Sequence, residues 1–362
     1  MSVKPECSNN ENVVSQHRNP LVDVAKGYGI LLVFLGHVVY YDSPVFRVIF
    51  NMHMPLFFVL AGMVFNTSRD ESWRNFLHRQ LIGIVLPFVF FTCLGVVICL
   101  FTGRLIQHSC MDWLRAGASF VHGDPYVAGS LWFLSCLFVV KTVFWTLHRK
   151  KMGNVFVLLL LATSYLLGIV CGKFINPKIL LAGPLMCFSV PMALFFFSIG
   201  FYGRNVLNLL ANCSKYLIML VFILLCGAEV ALAIPFTTPN LAIPAFPSAC
   251  TFLLASLCGI GAALCFSAMP LSGGVIRFVG RNSLYYFLIE RWVQEIRIPF
   301  LSAFMPGFAN GDTTLNPNTM VLTPLQVLIS LVFSILLATL TVPFTKWALA
   351  RLKGHLVSAH YI

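Results

Sequence analysis

Charge is what this sequence lacks. Only 10% of its 362 residues are Asp, Glu, Lys or Arg, against 59% hydrophobic, where soluble domains carry about 25% charged residues. One soluble core cannot hide that much apolar surface, so a polytopic membrane protein is expected and a separate soluble catalytic domain is not. Acidic residues are scarcest, 12 against 24 basic, for a net charge of +12. Nucleic-acid binding does not follow, because no basic run exceeds Arg149-Lys150-Lys151. Loops rich in Lys and Arg on the cytoplasmic face of a membrane give the same balance. The 12 cysteines include no CxxC pair and no zinc spacing. Cys93, Cys99, Cys136, Cys187, Cys226, Cys258 and Cys265 sit in apolar runs as small hydrophobes, so neither a disulfide framework nor a metal site is expected. The motifs HExxH, GxSxG, the Walker GxxxxGK and a strand–helix GxGxxG are missing, which removes the usual support for metalloprotease, hydrolase and ATPase chemistry. Residues 1–19 are polar, with no apolar core or cleavage site, so no signal peptide is expected.

Long apolar runs are what is present. Ten are expected to span the membrane, at 21–41, 46–65, 81–101, 129–147, 154–172, 180–202, 216–235, 247–268, 281–300 and 323–345. Each approaches the roughly 20 residues a helix needs to cross hydrocarbon. They are too long and too uniform for barrel strands. The fold class is therefore an all-α polytopic transmembrane helix bundle. Placing the amino terminus in the cytoplasm puts sixteen Lys and Arg in inner segments against six in outer ones, Arg297 among the six. That bias and the even span count put both termini inside. The expected organisation is a polar tail at 1–19, a transmembrane domain at 20–347 and a short cytoplasmic tail at 348–362. Three longer outer loops, Thr102–Ala128, Pro235–Pro247 and Leu301–Thr323, offer an outer binding surface. No repeat suggests an inverted-repeat transporter.

Ionisable residues inside spans are costly and mark candidate sites. The first span runs from Asp23 through Lys26 to His37. Eleven helical steps bring Lys26 and His37 to within about 20° of one face, about 16 Å apart along the axis. Asp23 is about 21 Å from His37 and cannot orient it; it reads as a helix-terminus charge. His53 enters the second span from the outside, which places it at the depth of His37. Pro55 should free backbone groups there for polar partners. The bland alternatives are a snorkelling Lys26 and histidines that only bridge helices. Arg74, His78 and Arg79 read as an inside anchor or as a phosphate clamp. Trp132 reads as an interfacial aromatic. Glu290 and Arg291, adjacent on one helix, should each pair with other helices.

Five segments, taken in order, resemble the acyltransferase-3 family of integral membrane acyltransferases. They are Lys26 and, after ten intervening residues, His37; His53-Met-Pro-Leu-Phe-Phe through Gly62; Arg79 to Pro87; Leu131-Trp-Phe-Leu134; and Gly280-Arg-Asn-Ser-Leu-Tyr-Tyr286. The likeness spans about residues 20 to 345 and is nearest to sugar O-acetylases of the fucose 4-O-acetylase type. It implies transfer of an acetyl or other short acyl group from acyl-CoA to a sugar hydroxyl of a surface polysaccharide or lipid-linked glycan. The resemblance further implies His37 and His53 as catalytic residues, His37 either as general base or as acyl acceptor through an acetyl-histidine intermediate, with Lys26, Arg79, Trp132, Asn282 and Glu290 binding donor or acceptor. Acetyl-CoA would be a substrate rather than a bound cofactor. The partners are membrane lipid, donor and glycan; nucleic acid and metal are not among them. The implied location is a cell membrane, foremost the bacterial inner membrane. Where the family often has a histidine in the last motif this chain has Glu290. The rival expectation is a secondary transporter or polysaccharide exporter that uses buried His, Lys and Glu; a third is acyl transfer to a protein or small molecule.

Overall fold

The computed structural model describes residues 19–67, 72–101, 131–149, 154–174, 186–236, 238–242, 246, 248–270, 273–304 and 323–358. The amino-terminal tail, the outer loop with His108, Asp112, Trp113, Arg115, His122 and Asp124, and residues 305–322 lie outside them. In chain order the helices are α1 (Pro20–Gly36), α2 (Pro44–Met63), α3 (Trp73–Gln80), α4 (Leu86–Phe101), α5 (Trp132–His148), α6 (Asn154–Phe174), α7 (Val190–Tyr202), α8 (Val206–Asn212), α9 (Lys215–Ala233), α10 (Ala249–Ser267), α11 (Val275–Arg281), α12 (Ser283–Phe304) and α13 (Pro324–Ser358).

The chain is an all-α membrane helix bundle, and each of the ten expected spans contains a helix. Among the described residues five segments are long and apolar enough to cross a bilayer alone, six if α7 and α8, bent by 50°, count as one. The shortfall has local causes. Helix α1 stops at Gly36, short of the expected 41, and is 17 residues long. Helix α12 has 22 residues but carries Glu290, Arg291, Glu295 and Arg297. Helix α13 departs the other way, running 35 residues to Ser358 and through most of the expected tail.

Local chemistry sets the helix starts. Asn19 caps α1 by accepting from the Leu21 N–H at 2.9 Å, and Pro20 occupies the first turn, where no N–H is needed. Ser43 and Pro44 repeat the arrangement for α2. The bundle is built around α2, 72% of whose span is buried, whereas α9 is only 17% buried and turns its leucines outward. Helix α2 stays helical through Pro55. The carbonyl that Pro55 orphans, four residues back at Asn51, accepts from Ser256 Oγ of α10 at 2.6 Å. That is the polar repair expected where proline interrupts a span. A π-turn, Leu81–Val85, precedes Pro87.

The contact that positions the site is the crossing of α1 with α11. A Cβ on Gly280 would overlap the Asp23 carbonyl, and one on Gly27 would overlap the Ile276 carbonyl. Only glycine lets the two backbones meet so closely, the small-residue packing that membranes favour. Asp23 is buried beside it and pairs with Arg281, Oδ2 to Nε 3.5 Å. Asp23 sits in the first turn of α1, as expected of a terminus charge, and adds an interhelical ion pair to that role.

At the other end of α1, Asp42 (φ 59°) clasps the turn into α2. Arg47 Nε and Nη2 donate to its two carboxylate oxygens at 3.0 and 2.9 Å, and Thr238 Oγ1 donates at 2.6 Å. Desolvation alone would raise the Asp42 carboxyl, but the bonds from Arg47 and Thr238 outweigh it and hold the group below the usual carboxylate range. A depressed carboxyl stabilises the fold above its unfolded pKa and loses that contribution as pH falls through the folded value. The stability gap between the protein and Asp42→Asn, read as melting midpoint in detergent, should therefore be constant at neutral pH and shrink below about pH 4. A gap that stays constant down to pH 3 would exclude this linkage.

Candidate functional site

Two cavities meet on one side of α2. One, of about 230 Å³, is lined by α1, α2, the π-turn, α5 and α12, with Lys26, Lys141 and Ser283 among apolar walls that include Phe57, Phe133 and Phe287. The other, of about 130 Å³, shares Ala61, Val64 and Lys141 with it and adds Arg79, Gln80 and Asn66. Lys141 lies within electrostatic range of both Lys26 and Arg79. Three cations thus gather at one end of an apolar cleft. Like charges so placed repel one another, and a polyanion relieves that repulsion.

The first cavity points toward the histidines along three of its own walls. From Ile30, His37 lies seven residues on along α1; from Phe57, His53 lies one turn on along α2; from Phe287, Glu290 lies less than a turn on along α12. The cavity stops about 10 Å of helix short of His37. His37 caps α1 and its side chain is 33% exposed. Its Nε2 lies 3.7 Å from Glu290 Oε1, and Glu290 is 2% exposed. The expectation that Glu290 reaches another helix is met. For Arg291 it is not, since Arg291 pairs with Glu295 of its own helix at 2.8 Å.

The other candidates are dispersed. His53 is buried, with Nδ1 2.7 Å from the Ile49 carbonyl, so Nδ1–H donates and Nε2 keeps the lone pair. It lies within electrostatic range of His37, at the common depth expected. Trp132 opens α5 but is 7% exposed in the core rather than at an interface. The Asn282 amide donates to the Phe278 carbonyl at 2.8 Å and its own carbonyl accepts from Tyr285 and Tyr286. Asn282 therefore joins α11 to α12 and does not line the larger cavity.

Sequence reading missed four residues. Lys141, one of the sixteen inner-segment charges, lines both cavities. Arg297 was counted as an outer charge, yet it is buried in α12 and its Nη2 donates to the His37 carbonyl at 3.3 Å. Gln294, one turn past Glu290, is buried at 4% exposure. Glu229 on lipid-facing α9 is buried against Gly259 and Met52. The spacing 290, 294, 297 is a helical stripe, a signal that was available; the depth of Lys141 was not. No group of three or more His, Cys, Asp or Glu able to hold a metal occurs among the described residues.

A family model described as an acyltransferase domain matches residues 19–342. No curated protein and no solved structure matches the chain.

Proposed function

Given that the chain belongs to the acyltransferase-3 family and is a multi-pass membrane acyltransferase, we propose that it moves an acetyl group from acetyl-CoA to a sugar hydroxyl, with His37 as the base. The observation that carries this reading is the cation-rimmed apolar cleft whose walls lead to His37 and Glu290. Acetyl-CoA has matching chemistry, phosphates at one end and a thioester on a slender arm at the other. Lys26, Arg79 and Lys141 hold the phosphates, with the Arg79 fork suited to bidentate contact. The arm enters between Phe57, Phe133 and Phe287, whose side chains move to open the last stretch to His37.

At that end Glu290 lies 3.7 Å from Nε2 of His37, and closing to hydrogen-bond distance when the donor binds would hold a proton there and leave Nδ1 as the basic nitrogen. His37 Nδ1 takes the proton of the acceptor hydroxyl as its oxygen attacks the thioester carbonyl. Glu290 stabilises the imidazolium so formed, the role of the acid in a Ser-His-Asp triad. The tetrahedral adduct collapses, the thiolate of CoA leaves, and the proton passes from His37 to it. We assign His53, buried within electrostatic range of His37, to steering the acceptor through Nε2. We assign the acceptor to a surface polysaccharide or lipid-linked glycan, as in sugar O-acetylases of the fucose 4-O-acetylase type, and the location to the bacterial inner membrane. The family match supports acyl transfer over transport.

Two experiments test this. Membranes containing the protein should move label from radiolabelled acetyl-CoA into a glycan fraction, and His37→Ala should lower the rate by at least about 100-fold with folded protein retained; transfer at wild-type rate would rule out His37 as base. Lys141→Met should weaken acetyl-CoA binding, read by calorimetry, by about tenfold, the scale of one charge-assisted contact, with less effect on binding of pantetheine, which has no phosphate. Equal loss for both ligands would argue for a packing role.

A further inference from the structure

Helix α12 carries Glu290, Gln294 and Arg297 in a stripe spanning about 60° of its circumference. All three are buried, at 1%, 4% and 2% exposure. Two of them bracket His37: Glu290 reaches its imidazole and Arg297 donates to its backbone carbonyl. Gln294 lies between these two along the helix, on the same stripe. Its amide nitrogen and amide oxygen, and Arg297 Nε, are buried with no hydrogen-bond partner among the described residues. Buried polar groups are nearly always partnered, and three unpartnered atoms on the helix stripe whose two ends reach His37 call for a ligand.

We infer that Gln294 Nε2 and Arg297 Nε are catalytic donors that hold the negative oxygen formed when the hydroxyl adds to the thioester. The assignment rests on the proposed acyl transfer. In the step, the acceptor oxygen bonds to the carbonyl carbon while its proton passes to His37, and the carbonyl π pair moves onto oxygen. That oxygen takes hydrogen bonds from the two N–H groups. The pair returns to re-form C=O as the C–S bond breaks and CoA leaves with the proton from His37. The charges divide sensibly: Glu290 faces the cation that forms on His37, and Arg297 faces the anion that forms on the substrate. Donors fixed in a water-poor site before charge develops are the most effective kind.

Arg297 also holds the turn at His37, so Gln294 gives the cleaner test. Gln294→Met keeps length and removes the N–H. Label transfer from saturating acetyl-CoA in membranes should fall about 10- to 100-fold, at or somewhat below the usual range for one such donor. The KM for acetyl-CoA should stay within about threefold, and the melting midpoint in detergent should hold or rise, because the amide lost has no partner. Acetyl-CoA hydrolysis by the purified protein, with water as acceptor, should fall by the same factor. Transfer within twofold of wild type, or hydrolysis unchanged while glycan labelling falls, would overturn the assignment; the second result would make Gln294 an acceptor-recognition residue. If wild type transfers label and His37→Ala does not, failure of Gln294→Met to matter sinks this assignment alone. Absence of transfer in wild type sinks the parent reading and this one with it.

Discussion

The structure depends on one crossing. At Gly27 and Gly280 the backbones of α1 and α11 touch, with no room for a methyl group on either side. In hydrocarbon there is no hydrophobic gain from bringing helices together, so close packing and polar contacts must hold them. This crossing has both, because Asp23 and Arg281 pair beside it. Asn282 then carries the chain from α11 into α12 with its amide and carbonyl both bonded to backbone. The alignment of α12 against α1 follows, and with it the placement of Glu290 and Arg297 on either side of His37.

Polar groups in this bundle fall into two kinds. Some repair the fold: Ser256 satisfies the carbonyl that Pro55 orphans, and Asp42, Arg47 and Thr238 tie the turn after α1 to the loop after α9. Others gather in two places, three cations at one end of the cleft and the His37–Glu290–Arg297 group about 10 Å of helix beyond its far wall. Apolar walls separate them. An acyl donor with a charged head and a reactive tail matches that division better than a small ion or proton would.

The histidine pair illustrates how similar residues separate in role. His53 spends Nδ1 on its own helix and is buried, which leaves only Nε2 for a substrate. His37, at a helix end, keeps part of its ring exposed and faces an acid. Its position as cap is the reason: past the last helical residue, the side chain is no longer packed on all sides by neighbouring helices.

The sequence by itself determined the class and much of the site. Low charge and ten long apolar runs require an all-α membrane bundle, and each run contains a helix. The spacing of Lys26 and His37, and the order of motifs around them, name the family. Period and spacing act along one helix, so what lay on one helix was legible. Only the tertiary structure decided which helices meet. It brought Glu290 to His37 across 253 residues of sequence, moved Lys141 from an inner-segment charge to the cleft, and turned Arg297 from an outer charge into a buried neighbour of His37. The physical reason is that the rotation and depth of a span are set by what packs against it. Here that is a glycine contact whose partners lie far apart in the chain.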